Sequence, residues 1–379
     1  VVQQEFAEPK PGAMLPGPAA VELTIVVPTF NEAPNVEELV RRLGDVLGGI
    51  EWEVVFVDDD SPDGTADLVR RLARGNRRVR VLHRIGRRGL SSACIEGMLS
   101  SAAPYLAVMD ADLQHDEALL PQMLGLLRED AADLVVGSRY VAEGSVAGWD
   151  QRRQRISRFA TRLSHLVARA PIADPMSGFF MLRRDVLHGA VRRLSAIGFK
   201  ILLDIMASTP RPLRLVELPY TFRDRRAGES KLDNRAVQDF LLLLLDKAIG
   251  RYVPPRFVLF TLVGGLGTVV HLAVLSALFQ ALGTSFVTGQ AVATLAAMLF
   301  NFSVNNVLTY RDQQLKGRAW FTGLLSFMLA CSVGALANVG VAAQLFARET
   351  NWILSAVAGV IVGAVWNYAA TSFYTWGRR

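Results

Sequence analysis

Cysteine is nearly missing from this chain: Cys94 and Cys331 are the only two in 379 residues. They lie in stretches of very different composition, so no disulfide framework is expected to hold the fold. Histidine is also scarce. The five histidines lack metal-ligand spacing, which argues against a zinc site. Val1 to Ala20 has no basic-then-apolar leader pattern and carries prolines at 9, 11, 16 and 18, so residues 1–20 are expected to form a disordered tail. The largest absence is charge. Phe257 to Tyr310 contains no Asp, Glu, Lys or Arg, which a water-soluble surface does not tolerate over such a length.

The charge that is present is mildly basic, with a net +6, a pI near 9.6 and a mean hydropathy of +0.27. A nucleic-acid binder would show basic stripes with interleaved aromatics. Here arginines cluster at Arg152–Arg158 and Arg223–Arg226 and beside apolar spans. The phosphates of a nucleotide and of a lipid headgroup suit that distribution better.

The first half alternates strand-like and helix-like segments. Apolar runs at Leu23–Val27, Glu53–Val57, Val79–His83, Tyr105–Met109 and Leu134–Val136 read as strands. Helical patterns follow at Pro34–Leu47, Pro62–Arg74, Arg88–Ser101 and Glu117–Glu129. This order predicts an α/β fold with a mostly parallel sheet covered on both faces. Ligands of such sheets bind beyond the carboxyl ends of the strands, where the polar clusters Pro28–Glu32, Asp58–Gly64, Asp110–Gln114 and Gly137–Tyr140 fall.

Asp110-Ala111-Asp112-Leu113-Gln114 is the most informative of these. Carboxylates at i and i+2 of an extended segment point the same way. Asp110, Asp112 and Gln114 therefore form an oxygen-rich set for Mg²⁺ or Mn²⁺. Phe30 can lie against a nucleobase and Glu32 can accept from base or ribose; the plainer role for Asn31 and Glu32 is helix entry. Asp58, Asp59 and Asp60 repel one another unless donors or a cation offset them. Asp59 is expected to meet a ligand. Ser61 is expected to be structural, with Ser61 or Asp60 capping a helix whose first turn holds Pro62. Arg139, Arg153, Arg225 and Lys231 are candidate phosphate clamps.

Residues 233–254 read as an amphipathic interfacial helix, with a helix buried against the preceding domain as the alternative. Four candidate spans follow at 257–280, 286–308, 320–346 and 351–376, each beyond the ~20 residues needed to cross a bilayer. Arg251, Arg256, Arg311, Lys316, Arg318, Arg378 and Arg379 flank them on one side. The positive-inside bias then puts the α/β domain and both termini in the cytoplasm. Asn301, Asn305, Asn306, Asn338 and Asn367 are expected to tie helices together, and Gly359 and Gly363 to allow close helix contact.

The stretches VVPTFNE, VDDDSPDGT, GLSSA, VMDADLQH, GSRY, DPMSGFF, IGFKILL and GESKL resemble the dolichol-phosphate mannose synthase family. This family is a branch of the inverting GT-A glycosyltransferases within glycosyltransferase family 2. The likeness covers about residues 22–232. FVLFTLVGGLGT and NFSVNNVLTYRD resemble a GtrA-like four-helix domain. The resemblance implies a Rossmann-like GT-A domain over 21–232 and a GtrA-like transmembrane domain over 255–379. It implies a metal at Asp110, Asp112 and Gln114. Donor contacts would come from Pro28, Phe30, Glu32, Val57, Asp59, Asp110, Ala111, Asp112, Gln114, Arg225 and Lys231. The acceptor phosphate would meet Arg139, Arg153, Ser157 and Ser230. Asp112, Arg139 and Arg225 would act on the reacting groups. Phe30 stands where this family often has Tyr, which keeps stacking and loses a hydroxyl.

The activity implied is inverting transfer of mannose from GDP-mannose to a polyprenyl (dolichyl) monophosphate at the cytoplasmic membrane face. Rivals are a UDP-glucose-dependent polyprenyl-phosphate glucosyltransferase and a C-terminal domain that flips the glycolipid. A processive polysaccharide synthase would carry Gln-x-x-Arg-Trp, which this chain lacks.

Overall fold

Strands β1 (Leu23–Thr29), β2 (Trp52–Asp58), β3 (Val79–His83), β4 (Tyr105–Val108) and β5 (Leu134–Ser138) are interleaved with helices α1 (Ala33–Val46), α2 (Thr65–Gly75), α3 (Leu90–Leu99) and α4 (Leu120–Arg128). The computed structural model describes residues 20–141, 145–146, 163–164, 167–168, 170–196, 198–223, 234–250, 253–348 and 351–377. The chain divides into two compact units between Ala248 and Ile249.

After β6 (Ser145–Val146) the first unit adds β7 (Phe180–Arg183), α5 (Arg184–Ala190), α6 (Ile201–Ser208), β8 (Leu215–Pro219) and β9 (Thr221–Phe222). The main sheet runs β3-β2-β1-β4-β7-β5-β8, and β6 pairs with β9 separately. All pairings in the main sheet are parallel except those of β7, which is antiparallel to β4 and β5. The sheet is thus mostly parallel as expected. The sequence reading missed β7, because its Phe-Met-Leu core is too short to show a period.

Ile25, Val27, Phe56 and Ala107 bury one sheet face against Val36, Leu39, Leu43 and Leu124 of α1 and α4. Val26, Val55, Val57 and Leu106 bury the other against Ala93, Met98, Leu187 and Ile205. Gly97 lets α3 approach closely, since a Cβ there would stand 2.4 Å from Val26 Cγ1. With both faces sealed by apolar contacts, polar side chains at the carboxyl ends are left at the rim.

The helix α7 (Asn234–Ile249) closes this unit. Phe240 and Leu243 are buried with Leu203 of α6, whereas Leu241 is 52% exposed. Lys247 Nζ lies 2.7 Å from the fully buried Asp204 carboxylate and also donates to Arg193 O and Ser208 Oγ. One face of α7 is therefore docked on the preceding domain, as the second reading of this segment has it, and Leu241 is exposed on the helix.

The second unit holds α8 (Pro255–Ser276), α9 (Phe286–Val307), α10 (Arg318–Phe346) and α11 (Trp352–Ala370). With their terminal π-turns they give four helices long and apolar enough to span a bilayer: Pro255–Ala281, Phe286–Val307, Arg318–Phe346 and Trp352–Thr375. The unit is a repeat of two hairpins, a feature not read from the sequence. Phe260, Gly267, Ser285, Asn301 and Tyr310 in the first match Phe327, Gly334, Asn351, Asn367 and Trp376 in the second. Ser285 and Asn351 both cap their following helix. Asn301 Oδ1 points at Gly267, and Asn367 Oδ1 points at Gly334. Neither oxygen has a conventional donor among the described residues. Equivalent residues also meet each other: Phe260 lies edge-on to Phe327, and Tyr310 stacks on Trp376 at 4.0 Å and 4°.

Removing one partner of the buried α6–α7 ion pair tests the docking of α7. Lys247→Met is expected to destabilise the full-length protein by about 3 kcal/mol, read by denaturant or thermal unfolding in detergent. Adding Asp204→Asn should then destabilise by less than the sum of the single changes. Full additivity would mean that the two side chains do not interact.

Candidate functional site

The turns after β1 and β2 are stitched together by side chains. Asn31, with φ at +58°, donates its N–H to Ser61 Oγ at 2.9 Å, and Ser61 in turn donates to Asp58 Oδ1 at 2.6 Å. Ser61 is structural, as expected, but it does not cap a helix. α2 starts only at Thr65, after Gly64 at φ +83°. Asp63 accepts from Thr65 N, Thr65 Oγ1 and Ala33 N, and so ties the starts of α1 and α2 to each other. Pro62 therefore lies in the turn, because Asp63 and not Ser61 supplies the local acceptor.

The three adjacent acids are each answered separately. Asp58 accepts from Thr29 and Ser61. Asp60 accepts from Gly86 N and pairs with His83, which holds its carboxyl below the usual range. Asp59 is 7% exposed and accepts from Arg84 Nη1 at 2.6 Å and Gly89 N at 2.7 Å. Burial pushes its pKa upward against those two donors. Its first role here is to hold the Arg84–Gly89 turn against the rim.

Pro28 stands opposite Val57 in the β1–β2 register. Val57 is fully buried in the core, so a ligand there would meet backbone and not its side chain. The Phe30 ring is partly exposed, with the Arg88 guanidinium 4.1 Å from its centroid. A base stacking on Phe30 takes the opposite face or displaces Arg88. Glu32 Oε2 accepts from Asn35 Nδ2 at the start of α1.

β4 ends at Val108, one residue earlier than expected, and the acids follow in a turn. Asp110 and Asp112 therefore lie in a turn and not at alternate positions of a strand. Leu113 turns the chain at φ +62° with its side chain buried, and Gln114 N donates to Asp112 Oδ1 at 3.2 Å. A left-handed Leu costs about 1–2 kcal/mol, which burial of its side chain offsets. Ala111 is buried beneath this turn.

Sequence reasoning missed His115. It is 2% exposed, stacks on Phe179 at 5.2 Å and touches Asp110 Oδ2 through Nε2 at 3.2 Å. Its Nδ1 lies 2.9 Å from Tyr220 Oη. A carboxylate at Asp110 can only accept, which calls for the imidazole proton on Nε2 and leaves Nδ1 to accept from the Tyr220 hydroxyl. Nε2–H then donates to Asp110. The only sequence signal was a histidine directly after the acidic turn. Tyr220 lies 105 residues further on. Gln114 is clamped likewise: its Nε2 donates to Arg223 O at 2.8 Å, and Arg223 N donates to Gln114 O at 3.0 Å. Arg223 also pairs with Asp116 and Glu117.

The Asp174–Gly178 segment forms the next wall. Asp174 is fully buried and grips Arg139 through Nε at 2.7 Å and Nη2 at 2.8 Å. This bidentate pair keeps the guanidinium firmly charged despite its burial. Gly178 abuts Asp110, for a Cβ there would lie 3.0 Å from Asp110 Oδ2. Asp110, Asp112, Gln114 and Arg139 thus border one rim. Arg153, Ser157, Arg225, Ser230 and Lys231 lie outside the described residues.

Among the described residues no group of three or more His, Cys, Asp or Glu side chains could hold a metal ion by itself. Two carboxylates and an amide oxygen are hard donors that suit Mg²⁺ or Mn²⁺ and leave positions for water or phosphate oxygens. The donor set therefore fits a cation shared with a diphosphate.

Residues 24–189 match the glycosyl transferase family 2 model, and residues 259–376 match the GtrA/DPMS transmembrane domain model. A dolichol-phosphate mannosyltransferase from Pyrococcus furiosus is 34% identical over 360 residues, covering 94% of this chain and 99% of that protein. The Saccharomyces cerevisiae enzyme of the same name is 34% identical over 253 residues, 64% of this chain and 92% of its own. Among solved structures, glucosyl-3-phosphoglycerate synthase from Mycobacterium tuberculosis covers 60% of this chain and 80% of its own at 17% identity and a TM-score of 0.45, a likeness too loose to carry an argument. The full-length match through both units shows that this membrane protein belongs to the dolichol-phosphate mannosyltransferase family; in this chain a GT-A glycosyltransferase domain is followed by a GtrA-type transmembrane domain.

Proposed function

We propose that the protein transfers mannose from GDP-mannose to a polyprenyl monophosphate at the cytoplasmic face of its membrane, with inversion at the anomeric carbon. The observation that carries this reading is the similarity to the Pyrococcus furiosus relative, which runs the length of both chains and includes the transmembrane unit. A soluble acceptor would give the enzyme no use for that second unit. UDP-glucose is the alternative donor.

A phosphate monoester has a second pKa of about 6 and is largely dianionic at neutral pH. It is already a nucleophile, and the site needs no strong general base. The protein's task is to bring two anionic substrates together and keep their reacting atoms in line. On this reading Asp110, Asp112 and Gln114 hold a divalent cation, and Phe30 and Glu32 hold the nucleoside. Such a cation, when bound, would supply positive charge to the departing diphosphate. His115 fixes the Asp110 carboxylate, and the Gln114–Arg223 clamp fixes the far side of the same turn. Arg139, oriented by Asp174, faces the acceptor phosphate with Arg153, Ser157 and Ser230. Arg225 and Lys231 complete the donor side. The phosphate oxygen attacks C1, the bond from C1 to the diphosphate oxygen breaks, and a β-linked product forms. The transmembrane unit serves as the membrane anchor, since its spans hold no acid and its His271 side chain is within reach of Gln290.

Membranes carrying the protein should move label from GDP-mannose, and not from UDP-glucose, onto added polyprenyl phosphate. A chelator should stop the transfer, and the product should have β configuration. Label moved only from UDP-glucose would replace the donor assignment, and an α-linked product would remove the direct displacement. Asp112→Asn should lower turnover by roughly 10²–10³-fold with membrane insertion unchanged. His115→Phe should raise the cation concentration needed for half-maximal activity by about 10–100-fold, with partial recovery at saturating metal. An unchanged metal requirement in that variant would leave His115 a packing residue only.

A further inference from the structure

Lys200 belongs to the IGFKILL stretch, and nothing above gives it a role. It ends a turn that is built into the rim at two points. Gly198, at φ +70°, accepts from Ser91 N at 3.2 Å, next to the Gly89 N–H that holds Asp59. At the other point, Lys200 Nζ reaches Met176 O at 3.4 Å, inside the Asp174–Gly178 segment that grips Arg139 and abuts Asp110. The Phe199 ring lies 4.3 Å from Nζ.

The two basic groups on this wall are partnered differently. Asp174 is matched by Arg139 in a bidentate pair. No carboxylate among the described residues forms an ion pair with Lys200, although its side chain is partly enclosed. A long distance to one carbonyl is weak compensation for an ammonium drawn out of water. Burial and the like charge of Arg139 accordingly pull its pKa down to about 8. Asp174 and Asp110 act on the ammonium only at longer range, so its N–H donors are open to an arriving anion.

We infer that the Lys200 ammonium binds the phosphate monoester of the lipid acceptor, beside Arg139. The donor diphosphate is the other anion within range. Its counter-charge would be the cation at the Asp110–Asp112 turn, whereas Lys200 lies on the Asp174–Gly178 wall with Arg139. This inference rests on the proposed transfer to a polyprenyl phosphate. Lys200 adds a binding contact to that reaction and takes no proton from it.

The test uses the full-length protein in detergent with a short prenyl monophosphate as acceptor. Lys200→Met should raise the acceptor KM by about tenfold or more and leave the GDP-mannose KM within about twofold. Lys200→Arg should recover most of the acceptor affinity. An unchanged acceptor KM, or an equal rise for the donor, overturns the assignment. A second measurement needs no variant. Acylation of Lys200 in the native protein, followed by mass spectrometry, should be slowed by the prenyl monophosphate but not by the prenol or by GDP. Labelling indifferent to the monophosphate also overturns it. If the native protein makes no prenyl-phosphate mannose, the proposed reaction fails, while protection by the monophosphate would still report an anion site at Lys200.

Discussion

Five carboxylates, Asp58, Asp59, Asp60, Asp110 and Asp112, crowd onto one edge of a sheet whose faces are sealed by apolar side chains. The rest of the catalytic unit is arranged around their mutual repulsion. Asp58 is held by hydroxyls, Asp59 by Arg84 and Gly89, Asp60 by His83 and Gly86, and Asp110 by His115. Each partner fixes a loop as well as a charge. The repulsion that would destabilise the edge is thereby converted into a set of rigid turns.

Rigidity matters because the proposed reaction joins two anions. Neither substrate approaches the other without positive charge already in place, and solvent cannot supply it as precisely oriented dipoles. The wall formed by Asp174–Gly178 ties the Arg139 charge to the edge of the acidic turn through Gly178. The second unit solves a different problem by repetition. Without a hydrophobic drive between helices in lipid, small residues and polar contacts set the packing. Gly267 with Asn301, and Gly334 with Asn367, use the same device in each hairpin.

Much of this was legible before any coordinates. The alternation of strands and helices, the polar rim, the acidic turn and the four spans follow from periodicity and from the missing charge. β7 was not legible, because a four-residue antiparallel strand leaves no pattern of its own. His115 and Tyr220 were not, because their meaning depends on a contact between residues far apart in sequence. The helix expected at Pro62 starts at Thr65, since Asp63 had two helix starts to serve and the local pattern showed one. The hairpin repeat was hidden because its matching positions keep shape and contact but often change residue type, as with Tyr310 and Trp376.

The sequence by itself determined where water-avoiding surface must be covered, and with that the layered sheet, its rim and the apolar spans. Burial is written in the spacing of apolar residues, and spacing is local. Tertiary structure alone decided which carboxylate meets which donor, which basic groups are already paired, and that Lys200 has no carboxylate ion pair among the described residues. Those outcomes depend on distances of a few ångströms between segments that the chain order keeps apart, and electrostatic interactions change steeply over that range.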